Sequence, residues 1–283
     1  MKINQLFCEK TLFSLEVFPP KDTVPVEELY STLGDLRDLQ PDFISVTCGA
    51  SGTAINNATV EVAALISHRY GIEGVAHLPG INLSKEEVLT ALGRMRSEGI
   101  DNILALRGDR NPQAAPKQDF AHANELVAFI AEQGDFNIIG ACYPEGHPEA
   151  TSLAADIVNL KRKVDTGVSH LISQLFFDND DFLRFVDAIR RTGIEVPVEA
   201  GIMPVTSKGQ ILKMTTLCGA HIPPALDALL QRYDDPAALR AAGIDYAINQ
   251  INGLLEAGVD GIHLYTMNNA QLAHAIYGST FAA

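Results

Sequence analysis

Residues Leu12–Lys21 read LFSLEVFPPK. Apolar side chains run almost unbroken into a Pro-Pro stop, the pattern of a short buried strand, and Glu16 interrupts it. An ionised carboxylate in a core costs several kcal/mol unless it is paired or takes up a proton. Side chains alternate along a strand. Leu12, Ser14, Glu16 and Phe18 therefore share one face, and Phe13, Leu15 and Val17 share the other. The second set is bulky and suits a layer of helices. The first would turn Glu16 toward whatever the strand encloses.

Working outward, similar β-rich runs recur: FISVTCG from Phe43, GVAHL from Gly74, NILALRGD from Asn102 and FNIIGACYP from Phe136. HLISQLFF from His170, VPVEAGIMP from Val196 and DGIHLYTMN from Asp260 complete a set of eight. Between them lie stretches such as SKEEVLTALGRMRSEG and NDDFLRFVDAIRRTG, whose apolar residues recur at three- and four-residue spacing. Ser84 with Glu87 forms a capping box, and Gly99 is placed to end that helix. Strand–helix alternation calls for parallel strands joined by right-handed crossovers, and eight units in about 250 residues is the size of a (β/α)8 TIM barrel. SKGQILKMTTLCG, PALDALLQRY and PAALRAAGIDYAINQINGLLEAG predict extra helices between strands seven and eight. The rival, an open doubly wound sheet, would carry a Gly-rich phosphate turn, and no GxGxxG is present. The expectation is one catalytic barrel over residues 1–283, with no room for a regulatory domain.

The formal net charge of −14 argues against nucleic acid and anionic membranes as partners. No apolar run is long enough to span a bilayer and no secretory leader is evident, which predicts a soluble cytoplasmic protein. Cys8, Cys48, Cys142 and Cys218 lie far apart, which predicts reduced core or near-core thiols and no metal site.

In a barrel the chemistry gathers at the C-terminal ends of the strands. Glu16, Thr47, His77, Arg107, Asp109, Tyr143, Gln174 and Tyr265 all fall at or near those ends. Partial desolvation at a barrel mouth would suit Glu16 to hold a proton near neutrality. A purely structural Glu16–Arg107 ion pair stays open. YPEGHPEA, Tyr143–Ala150, is a stiff loop leading into a helix on which Asp156, Asn159 and Lys163 share a face. Arg162 stands beside them, and two adjacent cations on an acidic protein suit a diphosphate. Gly108, inside ALRGD, permits close backbone approach to a ligand.

FSLEVFPPK, SVTCGA, HL, ALRGD, YPEGHPEA, DIVNLKRKVDTG, SQLFFD, GIMPV and HLYTMN follow one another in an order and spacing that resemble the bacterial methylenetetrahydrofolate reductase family over essentially the whole chain. The resemblance implies a barrel holding tightly bound, non-covalent FAD, often as a homo-oligomer. It implies reduction of 5,10-methylenetetrahydrofolate to 5-methyltetrahydrofolate by ping-pong hydride transfer, with NADH as co-substrate. Carried over by position, Glu16 is the general acid and Asp109 the carboxylate beside flavin and pterin. Thr47, His77, Leu106, Arg107, Gly108, Asp109, His122, Ala123, Tyr143, His147, Asp156, Asn159, Arg162 and Lys163 are implied to contact FAD. Gln174, Gln210 and Tyr265 are implied to contact folate or nicotinamide. Asn269 stands where well-known members carry an Arg, and Met214 where some carry a Phe. Two other readings are a flavoprotein subunit fed by an iron–sulfur partner and a flavin-free pterin-binding barrel.

Overall fold

The computed structural model describes residues 1–20, 26–48, 57–109 and 117–281. Eight parallel strands close into a barrel in chain order: β1 Leu12–Val17, β2 Phe43–Val46, β3 Glu73–Pro79, β4 Asn102–Leu106, β5 Asn137–Cys142, β6 His170–Ser173, β7 Val198–Ile202 and β8 Gly261–Tyr265. Closure comes from β8 pairing with β1, with Ser14 opposite His263 and Glu16 opposite Tyr265. Around the barrel lie α1 Val26–Arg37, α2 Asn57–Tyr70, α3 Lys85–Ser97, α4 Ala123–Glu132, α5 Leu153–Asp165 and α6 Asn179–Arg191. The expected insertion between the last two strands is α7 Lys208–Cys218, α8 Pro224–Arg232 and α9 Pro236–Glu256, and α10 Ala270–Tyr277 follows β8. The capping box at the start of α3 is complete: Ser84 Oγ accepts the Glu87 N–H and Glu87 returns a bond to the Ser84 N–H.

Two apolar layers follow from the strand alternation, and the inserted helices add a third. Phe13, Leu15 and Val17 join the large cluster between sheet and helices. Leu12 points the other way and meets Phe43, Val75, Leu104, Ile139 and Ile172 inside the barrel. A 3-10 helix, Ile3–Cys8, lies against this inner cluster through Ile3, Leu6 and Phe7. Asn102 ties it down by accepting the Ile3 N–H (3.1 Å) and donating to the Met1 carbonyl (2.9 Å). The inserted helices rest on a third cluster built from Leu175, Phe177, Met203, Val205, Ile211, Leu226, Leu230 and Leu239.

Some expectations need correcting. Cys8 is exposed on the 3-10 helix rather than near the core, because that helix turns only one face inward. Gln174 lies just past β6, which ends at Ser173, and is not a strand residue. Among the described residues no helix is long and apolar enough to cross a membrane.

Candidate active site

Glu16 is the last lumen-facing residue of β1, and its side chain is 14% exposed. Its carboxylate faces two imidazoles: Oε2 lies 3.6 Å from His77 Nε2 on β3 and 3.7 Å from His263 Nε2 on β8. It does not pair with Arg107. That guanidinium makes a two-pronged bond to Glu149, at 2.6 and 2.9 Å, which raises its pKa further. The structural ion pair is therefore ruled out, and the reason is reach: Glu149 arrives at Arg107 on the loop after β5. Burial is the main force on His77, pushing it down to about 4 against the pull of Glu16. The imidazole is neutral at pH 7, and its buried Nε2 has no hydrogen-bond partner among the described residues.

Tyr265 closes β8 beside Glu16. Its hydroxyl donates to the Ser173 carbonyl at 2.8 Å, and burial, with Glu16 next, holds the phenol well above its usual range. The approach needs Gly201: a Cβ there would collide with the Ser173 carbonyl oxygen and lie 2.7 Å from Tyr265 Oη. Gln174 lies just past β6, next to Ser173. Its Oε1 accepts the Leu175 N–H at 2.8 Å, which turns the NH2 group to other use. Gln174 and Tyr143 share a small hollow with Glu145, Leu175, Cys218 and Ala220.

On the β4 side, Leu106 packs on the inner apolar cluster. Gly108 has φ 83°, and a Cβ there would lie 2.7 Å from that of Pro79, so a side chain is excluded by conformation and by space. Asp109 is exposed, and its carbonyl accepts from Asn82 at 3.1 Å. Its charge nevertheless reaches inward. Burial is the chief cause that pushes Tyr143 up to about 12, with Asp109 adding to it. Tyr143 in turn acts on Tyr265. In a barrel of parallel strands, Glu16 near the end of β1 and Asp109 just past β4 lie at the same rim.

The β5 loop and α5 carry the remaining candidates. Tyr143 meets His147 edge-on at 4.7 Å between centroids. The His147 N–H donates to Asp156 at 3.0 Å. Lys163 bonds the Ala141 carbonyl at the end of β5, and burial lowers its pKa. Arg162 is exposed and reaches Asn159 at 3.5 Å. Adjacent in sequence, the two cations are about 100° apart around the helix, so they do not form one patch. Thr47 follows β2, its carbonyl accepting the Thr59 hydroxyl at 3.0 Å. His122 stands at the exposed N-cap position of α4, where its N–H donates to Glu125 at 3.1 Å, with Ala123 as the first helical residue. Gln210, in the first turn of α7, accepts the Thr206 hydroxyl at 2.6 Å. Asn269 caps α10 through the Leu272 N–H at 2.9 Å, and Met214 packs on the third apolar cluster. The loop is also clamped from outside. His221 Nδ1 lies 2.6 Å from Glu145 and 3.3 Å from Asp181, and its bond to Glu145 chiefly raises its pKa.

Sequence reasoning missed Ser14 and His263, which line the lumen below Glu16, and Glu199 on β7. The signal was present: Ser14 lies two residues before Glu16, and His263 two before Tyr265, so each shares its neighbour's face.

The family model for methylenetetrahydrofolate reductase matches residues 2–280. A 5,10-methylenetetrahydrofolate reductase of Pectobacterium carotovorum subsp. carotovorum is 38% identical over 278 residues, 97% of this chain and 92% of that one. Methylenetetrahydrofolate reductase (NADH) 1 of Arabidopsis thaliana is also 38% identical, over 92% of this chain but 46% of its own length. Among solved structures, an uncharacterized Clostridium thermocellum protein that binds two copies of 5-methyl-5,6,7,8-tetrahydrofolic acid has the same fold, with a TM-score of 0.67 at 13% identity over 99% of this chain and 98% of that one. With a closed barrel, a polar rim at the strand ends and a match along nearly its whole length, the chain belongs to the methylenetetrahydrofolate reductase family and is an oxidoreductase of that class.

Proposed function

We propose that the single barrel reduces 5,10-methylenetetrahydrofolate to 5-methyltetrahydrofolate at the expense of NADH, with FAD as its resident carrier and Glu16 as the general acid. The observation that carries this reading is the partly buried Glu16 carboxylate at the barrel mouth, facing two buried imidazoles in a chain of this family.

The residues fit a flavin. Among the described residues His77 Nε2 is buried without a hydrogen-bond partner, and Gly108, with φ 83°, brings bare backbone to the rim. Arg107, Gly108, Leu106, Thr47 and His77 would hold it at the mouth. Tyr143, His147, Asp156, Asn159, Arg162 and Lys163 would serve its outer half, and His122 and Ala123 would be the most distant contacts. When bound, FAD supplies the hydride carrier between nicotinamide and folate.

The protein's share is protons, charge and position. The methylene bridge of the substrate accepts hydride only after its five-membered ring opens to an iminium cation, which requires a proton on the departing nitrogen. Glu16 delivers that proton, directly or through one water. Asp109, as a carboxylate, stabilises the cation that develops. Gln174 and Gln210 each have an oxygen engaged by the protein, which leaves their NH2 groups to orient folate or nicotinamide. Tyr265 is locked by Ser173 and offers its ring as a wall.

An absorption spectrum before and after anaerobic NADH tests the reading. A yellow protein, bleached by NADH and recoloured by methylenetetrahydrofolate, is the expected result. A colourless protein that stays colourless after incubation with FAD overturns it in favour of a pterin-binding barrel. Flavin present but unmoved by NADH would transfer the donor role to another electron carrier, such as an iron–sulfur protein.

Asp109→Asn is expected to keep flavin, raise its reduction potential and slow the folate step by about 10-fold. This falls below the ~100-fold typical of a fully preorganised stabilising group, because water screens an exposed carboxylate. Redox titration with a reference dye checks it, and an unchanged potential counts against the charge argument.

A further inference from the structure

Below Glu16 the lumen holds a line of polar groups that the mechanism above does not use. Glu199, on β7, is fully buried. Its Oε1 lies 2.7 Å from Ser14 Oγ on β1, and Ser14 Oγ lies 2.7 Å from His263 Nδ1 on β8. The far side of that imidazole, Nε2, faces Glu16 Oε2 at 3.7 Å and Ser45 Oγ at 3.4 Å. Strand β8 runs between β7 and β1, so the Glu199 side chain must cross it to reach Ser14. It crosses at Gly261, its register partner, where a Cβ would lie 2.8 Å from Glu199 Cγ. A fully buried carboxyl placed this way across three strands requires an explanation.

We propose that Glu199 is a proton store for Glu16, connected to it through Ser14 and His263, so that the rim carboxylate is reprotonated from inside the barrel while substrate covers the mouth. The inference rests on the reading of Glu16 as the acid.

The charge state supports it. Desolvation is the largest cause that pushes Glu199 up to about 8; the Ser14 bond opposes this, and Asp42 and Asp260 reinforce it. No cation among the described residues offsets the burial. His170 Nε2 is 3.7 Å from Glu199 Oε2, but burial, with His263 next, pushes His170 down to about 3 and keeps it neutral. Around His263 stand Ser14, Ser45 and Glu16, with the rings of Phe43 at 5.9 Å and Tyr265 at 5.5 Å. Around Glu16 stand His77, His263 and Tyr265. At neutral pH Glu199 holds a proton; with that proton on Oε1 the Ser14 hydroxyl turns from donating to this oxygen to accepting from it, and the chain runs in one direction: Glu199 O–H to Ser14 Oγ, Ser14 O–H to His263 Nδ1, His263 Nε2–H toward Glu16.

The transfer balances. The Glu199 O–H bond breaks as Ser14 gains that proton. Ser14 gives its own to His263 Nδ1, and His263 gives its Nε2 proton to Glu16. The net change is one proton from Glu199 to Glu16; Ser14 is restored and His263 exchanges tautomers, both remaining neutral. The final gap exceeds hydrogen-bond reach, so the last step needs a rotation of the Glu16 carboxylate or one bridging water. The floor is closed below: Phe7 of the N-terminal 3-10 helix packs on His170 at 4.9 Å. Glu199 therefore acts as a store rather than a channel to bulk water, refilled by the reverse sequence when the mouth opens.

Two variants interrupt the line. Glu199→Gln keeps the size and the Ser14 contact but has no proton to give, and Ser14→Ala removes the middle. Both are expected to bind FAD and accept hydride from NADH at the wild-type rate. Their folate step should fall by about 10-fold, with a shifted pH profile, and small acids in the buffer should restore part of it. Two readouts are independent of turnover. Infrared difference spectra across neutral pH should show a protonated carboxyl that titrates in wild type and is missing in Glu199→Gln. Nitrogen NMR should show the His263 tautomer disturbed in Ser14→Ala. If Glu16→Gln abolishes the folate step while both variants match wild type in rate, pH profile and tautomer, the store is overturned and the acid stands. If Glu16→Gln leaves the folate step intact, the acid reading itself fails. Should either variant fold poorly, the wild-type infrared spectrum decides, since absence of the titrating carboxyl overturns the proposal.

Discussion

Glu16→Gln is expected to keep FAD and its reduction by NADH while losing folate reduction by ~100-fold or more. Glutamine matches glutamate in size and would occupy the same place between His77 and His263, so the rim should keep its shape. What it cannot do is release a proton to the departing nitrogen of the methylene bridge. Reduction by NADH asks for no proton from this position, so the two half-reactions should separate cleanly. Rapid-mixing absorbance measures each in turn: the bleaching step should keep its wild-type rate, and the recolouring step with methylenetetrahydrofolate should nearly vanish. Folate turnover at the normal rate in this variant would remove Glu16 from the acid role. Neither imidazole is a ready substitute, since burial keeps His77 neutral and His263 is fully buried.

The second large effect lies in the wall beside the site. Gly201→Ala would drive a methyl into the Ser173 carbonyl oxygen and to within 2.7 Å of Tyr265 Oη. Neither neighbour can withdraw easily. The Ser173 carbonyl accepts the Tyr265 hydroxyl at 2.8 Å, and Ser173 Oγ accepts the Gly201 N–H at 2.9 Å. Strand pairing here is short, with register partners only at Leu171–Val198 and Ile172–Glu199, so these bonds hold the upper ends of β6 and β7 together. Overpacking against backbone should cost roughly 3 kcal/mol, at the upper end for such changes. It should also loosen Tyr265 and Gln174. Gly34→Ala is the matched control: Gly34 is inside α1 with none of the described residues within 4 Å of its added Cβ, and alanine there should stabilise by up to ~1 kcal/mol. Urea or thermal unfolding of both variants checks the pair. A Gly201→Ala protein as stable as wild type would mean that the strand ends are far more yielding than their bonding implies.

Much of the architecture is written in local pattern. Period-two alternation along LFSLEV places Phe13, Leu15 and Val17 against the helices and Glu16 in the lumen, because neighbouring side chains of a strand must point to opposite faces. Ser84 and Glu87 mark the start of α3 because a helix N-terminus leaves donors that such side chains satisfy. The inserted helices between β7 and β8 were legible for the same kind of reason. Their apolar residues recur at helical spacing, whatever they pack against.

The partners of the rim residues were not legible. Arg107 meets Glu149 and not Glu16, Lys163 turns to the Ala141 carbonyl while Arg162 turns to solvent, and Ser14 finds His263 and Glu199. Sequence by itself determined which residues form strands and helices and which face of β1 carries the carboxylate, since periodicity and capping act within a few residues. Only the tertiary structure decided what that carboxylate faces. The β8–β1 closure and its register bring together side chains that are 185 to 249 positions apart, and no local force encodes their distance.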